Sequence, residues 1–246
     1  MARPAVFIHG LWLHATSWRP WLDLFAQRGY DPVAPGWPHE PETVEQARAQ
    51  PDAVAGLAEP PVIIGHSFGG LIAQKLLGRN LGAAAVAIDP AQIRGVLVLP
   101  PAQLRASGVV LGNPANAKRS VSLSAAQFRY GFGNTLSRDE SDLLHEKWTI
   151  PSPGRPLFEA ATANFVAHSP AAVDTRNARR GPLLLISGGK DHTVPDSVTR
   201  STFKQYRHSS AVTELKQFPD RGHSLVIDNG WREVADAALA WLEKSL

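Results

Sequence analysis

Short apolar runs, each followed by a helical pattern, are what most restrict the fold of this 246-residue chain. Ala5 to His9, Asp31 to Ala34, Pro61 to Gly65, Ala84 to Ile88, Leu183 to Ser187 and Val212 to Phe218 read as strands. Between and after them lie helical stretches. Trp18, Trp21, Leu22 and Phe25 fall at i, i+3, i+4 and i+7, and Phe68 to Gly78 and Asp196 to Tyr206 read as helices. In the last helix Trp231, Val234, Ala235, Ala238, Trp241 and Leu242 trace a stripe of 3.6-residue period. Alternation of this kind predicts an α/β fold, about six mostly parallel strands with flanking helices. Pro35-Gly36-Trp37-Pro38 has turn chemistry, and Thr43 with Gln46 has capping-box spacing for a helix that Pro51 interrupts.

From about Pro90 to Pro170 the pattern changes. Strand-like runs become rare, and two capping boxes appear, Ser124 with Gln127 and Ser137 with Glu140. Residues 91–170 are therefore expected to form an inserted helical cap on an α/β core made of residues 1–90 and 171–246. The insertion carries Phe128, Tyr130, Phe132, Trp148, Phe158 and Phe165. Most of these should pack the cap, and a few should face the site and line an apolar pocket.

Composition removes several function classes. Hydrophobic residues make up 43% of the chain and charged ones 19%, enough for a large core and against disorder. The absence of cysteine excludes disulfides, thiolate metal sites and cysteine nucleophiles. The net charge is +3, but the basic residues are scattered, with only Lys118-Arg119 and Arg179-Arg180 adjacent, so no nucleic-acid partner is expected. No apolar run approaches the ~18 residues of a membrane span, and the N-terminal stretch has no signal-peptide pattern. A cytoplasmic protein is the expectation.

The chemistry concentrates in Gly65-His66-Ser67-Phe68-Gly69, a G-x-S-x-G sequence between an apolar strand and an apolar helix. A serine in that setting sits on a strained strand-to-helix turn that lifts its hydroxyl above the sheet. Such a hydroxyl needs a neighbouring base, and imidazole titrates in the right range. Asp191, in the loop after one strand, and His223, in the loop after the next, complete the chain order Ser, Asp, His. Both loops lie at strand ends, where open α/β sheets place their sites. Asp89, at the end of the Ala84 to Ile88 strand, competes with Asp191 for the acid role. His9 and His66 shape loops beside the site, and His192 points away if Asp191 points inward. Asp220 and Asp228 read as turn and cap residues, and Lys190 as a solvated loop lysine. The histidines lack metal-ligand spacing, and no phosphate- or dinucleotide-binding glycine motif is present, so neither metal nor cofactor is expected.

Taken together, these segments resemble those of the α/β-hydrolase superfamily, in particular its small esterase-like and lipase-like members with a helical cap. His9-Gly10-Leu11-Trp12 is similar to the family's His-Gly oxyanion loop. The resemblance implies an oxyanion hole formed by the backbone N–H groups of Leu11 and Phe68. It also implies hydrolysis of a small-molecule carboxylic ester through an acyl-enzyme on Ser67. Thioester, lactone or amide hydrolysis and perhydrolysis use the same three residues, and receptors on this fold bind ligands without turnover. The chain departs from the family in starting at what would be its third strand and in its short connection from Gly36 to Pro61.

Overall fold

The computed structural model describes residues 2–36 and 59–246, so the helix expected after Thr43 lies outside the described residues. The elements run β1 (Arg3–Ile8), a 3₁₀ turn (Ala15–Trp18), α1 (Arg19–Gln27), β2 (Tyr30–Val33), β3 (Val62–His66), α2 (Phe68–Gly78) and β4 (Ala84–Ile88). There follow α3 (Pro101–Leu111), β5 (Ser120–Val121), α4 (Ala125–Gly131), α5 (Arg138–Trp148), β6 (Ser152–Pro153) and α6 (Arg155–Ala161). The chain closes with β7 (Leu183–Gly188), α7 (Asp196–Gln205), β8 (Thr213–Phe218) and α8 (Trp231–Ser245).

Six strands form one sheet in the order β2-β1-β3-β4-β7-β8, and every neighbouring pair is parallel. The residue pattern explains the order. β3, β4 and β7 are largely apolar and are buried along their whole length, as strands covered by helices on both faces must be. β2, and β8 over its first four residues, alternate half-buried and exposed residues, and the two strands form the sheet edges. Pro32, paired in register with Ala5, is tolerated on β2 because a proline's missing N–H is no loss on an outer edge. The chain moves outward from β1 to β2, then returns to place β3 on the other side of β1. That reversal opens a crevice above the carboxyl ends of β1 and β3, the usual ligand position in such sheets.

An aromatic layer packs α1 on the sheet. Phe7 of β1 meets Phe25 edge-on at 4.9 Å and Trp18 at 5.2 Å, and Trp18 meets Trp21 edge-on at 5.1 Å. The Trp21 Nε1–H donates to the Val226 carbonyl at 2.9 Å, which ties α1 to the loop beyond β8.

Between β4 and β7 the chain forms α3 to α6 and a two-stranded antiparallel ladder of β5 with β6. Its buried side chains, Val110, Phe128, Phe132 and Leu144 among them, join the same apolar cluster as the sheet. The capping box at Ser124 and Gln127 forms in both directions. At Ser137 only half of the expected box exists: the serine hydroxyl accepts the Glu140 N–H at 3.2 Å. The Glu140 carboxylate instead accepts both the backbone N–H and the side-chain amide of Asn229, at 3.0 and 2.9 Å. Two charge-assisted bonds to the loop before α8 outcompete one local bond to the cap.

Candidate active site

β3 delivers Ser67 to the crevice. The serine has φ 55 and ψ −118, outside the usual L-residue regions, and caps α2 without using its side chain. The turn survives because its neighbours have no Cβ in the way. A Cβ on Gly69 would run into the Ile8 carbonyl of β1, and one on Gly10 would lie 2.7 Å from the Ser67 Cβ. Loop 9–12 and the serine turn are thus in near contact, with Leu11, Ser67 and Phe68 lining one cavity. Phe68 is the first residue of α2, so helix geometry leaves its N–H without an intrahelical acceptor.

Two further loops meet at the same end of the sheet. After β7, the Gly189 N–H donates to the Phe218 carbonyl at 2.8 Å and the Lys190 N–H to the Arg221 carbonyl at 2.9 Å. These bonds hold the Asp191 loop against the His223 loop. Asp191 Oδ1 accepts the N–H groups of Thr193 and Val194 at 2.6 and 2.8 Å, and Oδ2 lies 2.5 Å from His223 Nδ1. That bond assigns the Nδ1–H tautomer, so the other nitrogen, Nε2, is a base; it is buried and has no hydrogen-bond partner.

The other histidines have separate tasks. His66 donates from Nε2 to the His223 carbonyl at 3.0 Å, with the two rings 4.6 Å apart, and so fastens the His223 loop to the serine turn. Burial first, and the nearby His223 second, hold the His66 imidazole well below its ordinary range. His9 donates from Nδ1 to the Gly10 carbonyl, and burial lowers its pKa to about 4. His192 turns away to the Tyr130 carbonyl at 3.0 Å. Lys190 pairs with the exposed Asp220 at 2.9 Å, and Asp228 accepts from the Ser224 hydroxyl and the Gly230 N–H just before α8.

Asp89 stands close by, with its Oδ2 3.9 Å from His223 Nδ1. Distance separates the two carboxylates proposed for one role: Asp191 is hydrogen-bonded to the imidazole and Asp89 is not. Ligand-capable atoms of His66, Asp89 and His223 lie within 4.8 Å of one another, the one such trio among the described residues. All three are 0% exposed, and their closeness follows from the packing of adjoining strand-end loops.

The cavity over Ser67 has a volume of about 100 Å³ and walls that include Trp12, Phe132, Leu157 and Val194. Of the six aromatics in the insertion, only Phe132 lines it. Phe132 also meets the His223 ring edge-on at 4.7 Å and stacks on Phe128 at 5.0 Å. Phe165, by contrast, is 89% exposed and belongs to neither core nor pocket. Sequence reading missed Trp12 as a wall. Its φ of 64 turns the backbone so that its N–H donates to Ser152 Oγ at 2.6 Å and its indole N–H to the Val121 carbonyl at 2.9 Å. Nothing in the local sequence signals that conformation.

A parallel sheet with a serine on a strained strand-to-helix turn, and a bonded carboxylate–imidazole pair beside it, defines a class: α/β proteins whose chemistry sits at the strands' carboxyl ends. Residues 5–237 match the model of the alpha/beta hydrolase family, and the chain belongs to that family. Against curated protein sequences the chain finds no match. Among solved structures it is similar to the monoacylglycerol lipase of Paleococcus ferrophilus, at 20% identity over 99% of this chain and 95% of that one, with a TM-score of 0.71. A thermophilic esterase from Thermogutta terrifontis matches at 18% identity over 99% and 90%, with a TM-score of 0.68. Tomato methylketone synthase I, complexed with 2-tridecanone, matches at 13% identity over all of both chains, with a TM-score of 0.72. At these identities the likeness is one of fold. Among the described residues no helix is long and apolar enough to cross a membrane.

Proposed function

We propose that the protein hydrolyses a small carboxylic ester in two steps through an acyl-enzyme. Ser67 Oγ attacks the carbonyl carbon while its proton passes to His223 Nε2. The oxyanion that forms takes hydrogen bonds from the N–H groups of Leu11 and Phe68, each worth about 2.7 to 4 kcal/mol in such sites. His223 then returns the proton to the departing alcohol, and water repeats the sequence to release the acid. Asp191 holds the imidazole in the reactive tautomer and stabilises the imidazolium between the two transfers.

One observation carries this reading: His223 is bonded through Nδ1 to Asp191, which leaves Nε2 as an unpartnered base fastened beside the Ser67 turn. Membership of the hydrolase family supports it, as do lipase and esterase neighbours in fold. The apolar cavity favours an acyl or alcohol group of hydrocarbon character. Residues 91–170 act as a cap that supplies part of this wall through Phe132.

The test is turnover of short-chain p-nitrophenyl esters and labelling by a fluorophosphonate, each with Ser67→Ala as control. Ser67→Ala should lose both while keeping its far-UV circular dichroism, since the hydroxyl serves chemistry rather than packing. Undiminished labelling of the variant would move the nucleophile to another residue.

A further inference from the structure

Asp89 directly follows β4 at φ 40, an unfavourable conformation for a residue with a side chain, and is completely buried. Its backbone N–H donates to the Ile186 carbonyl at 2.8 Å, and its Oδ1 accepts the Gly188 N–H at 2.7 Å. Both bonds hold it to β7, whose following loop carries Asp191. The second oxygen, Oδ2, receives no donor, yet it points into the space shared with Asp191 and the Nδ1 edge of His223. Two buried carboxyl groups therefore converge on one imidazole nitrogen.

The surroundings decide their charge. His66 faces this space from β3 and is kept neutral by burial. His223 comes from the loop after β8 and Asp191 from the loop after β7. Asp196, at the start of α7, adds a further negative field, and its own carboxylate is bonded to Ser187 and Arg200. Among the described residues His223 is the one cation-forming side chain within ion-pair distance of Asp89. Two buried carboxyl groups that share one site have one of their two ionisations raised. Asp191 accepts two backbone N–H groups besides the imidazole, whereas Asp89 accepts one. Donors stabilise the anion, and Asp89 has the fewer of them. Burial, then the Asp191 charge, hold the Asp89 carboxyl well above its usual range. A protonated Oδ2 would have a hydrogen to give Asp191, a donor that a pair of carboxylates lacks.

We propose that Asp89 is a positioning residue, a second carboxyl group that hydrogen-bonds Asp191 and replaces it as acceptor of the His223 Nδ1 proton when Asp191 cannot serve. This rests on the reading of Ser67 and His223 given above. With asparagine at 191 the like charge is gone and Asp89 releases its proton to solvent. Its Oδ2 then has to close from 3.9 Å to about 2.9 Å to accept from the imidazole.

The experiment compares kcat/KM against pH for p-nitrophenyl butyrate in the wild type, Asp89→Asn, Asp191→Asn, the double variant and Ser67→Ala. Asparagine at 89 reproduces the neutral acid, its amide donating to Asp191 and its oxygen accepting from Gly188, so Asp89→Asn should lose less than about tenfold. A triad with a single acid loses about 10⁴ when that acid becomes an amide. Here Asp191→Asn should lose at least about tenfold less than that, and the double variant the full amount. The activity left in Asp191→Asn should fall as pH drops through the Asp89 ionisation, and that limb should vanish in the double variant. In the infrared, the wild type should show a protonated carboxyl stretch at neutral pH that Asp89→Asn lacks. An Asp191→Asn protein as inactive as the double variant would overturn the proposal, as would Asp89→Asn losing as much as Asp191→Asn. If Asp89→Asn does not fold, the Asp191→Asn profile decides alone: a loss of about 10⁴ without an acid limb sinks the idea. Turnover persisting in Ser67→Ala would instead refute the serine mechanism, whatever the carboxylates do.

Discussion

The residues around Ser67 hold costs that a folded chain normally avoids. Ser67, Asp89 and Trp12 adopt positive φ, each at about 1 to 3 kcal/mol, and all three lie around the crevice. Three histidines, His9, His66 and His223, are also buried there. For two of them this has a consequence for stability. His9 has its pKa lowered from 6.5 to about 4, and His66 is lowered as well, in both cases mainly by burial. The folded protein therefore keeps these rings neutral while the unfolded chain protonates them below about 6.5. Stability is complete above that value and falls as pH drops toward the folded-state values, by up to about 1.4 kcal/mol per pH unit for each histidine. Denaturant titrations across this range should show the slope, and His9→Asn, which cannot protonate, should reduce it by one histidine's share. An unchanged slope would mean that His9 is protonated in the folded protein too.

At the scale of elements, the serine turn depends on how closely α2 lies against β1. Gly69, on the first turn of α2, abuts the Ile8 carbonyl, and backbone has little room to yield. Gly69→Ala should therefore destabilise the protein by about 1 to 3 kcal/mol or more, even though alanine is the better helix former by up to about 1 kcal/mol. The shift of α2 that relieves the clash carries the Phe68 N–H with it, so fluorophosphonate labelling of the folded variant should slow as well. Equal stability and equal labelling would show that β1 and α2 separate more readily than their packing suggests. A second element-level link runs through Glu140. By clasping Asn229 it fixes the start of α5 to the loop that precedes α8.

Considered whole, the molecule lays the segment from α3 to α6 over the carboxyl ends of the strands and shares one apolar core with them. Phe132 is the residue where the two meet, packed on Phe128 and against His223 while lining the cavity. Phe132→Ala should cost about 3 to 5 kcal/mol and shift acyl chain-length preference, because it opens both the core and the pocket wall. Phe165→Ala, at an 89% exposed position, should stay within about ±0.5 kcal/mol with preference unchanged. Thermal unfolding and a series of p-nitrophenyl esters of increasing chain length measure both quantities. If the two variants behave alike, the cavity beside Phe132 is not where the acyl group lies.

The order of amino acids specifies what interactions among near neighbours along the chain can specify. The apolar runs at Val62–His66 and Ala84–Ile88 specify strands buried on both faces, and the stripe from Trp231 to Leu242 specifies a helix. The G-x-S-x-G turn is a local signal, as are the strand-end positions of Asp191 and His223. Which of these groups meet depends on partners far away along the chain, and the packed fold sets that. Asp89 and Asp191 look alike in sequence, each a carboxylate just beyond a strand. The bond to His223 goes to Asp191 because the β7 and β8 loops are laced together through Gly189 and Lys190. Asp89 is turned by its positive φ and spends one oxygen on Gly188. Ser137 and Glu140 have capping-box spacing, yet Glu140 bonds to Asn229, 89 residues on. Phe132 and Phe165 are equally aromatic, and only the fold buries one and leaves the other in water. Propensity and periodicity act over a few residues, whereas the partner of a buried polar group is set by which backbones the packed core brings together.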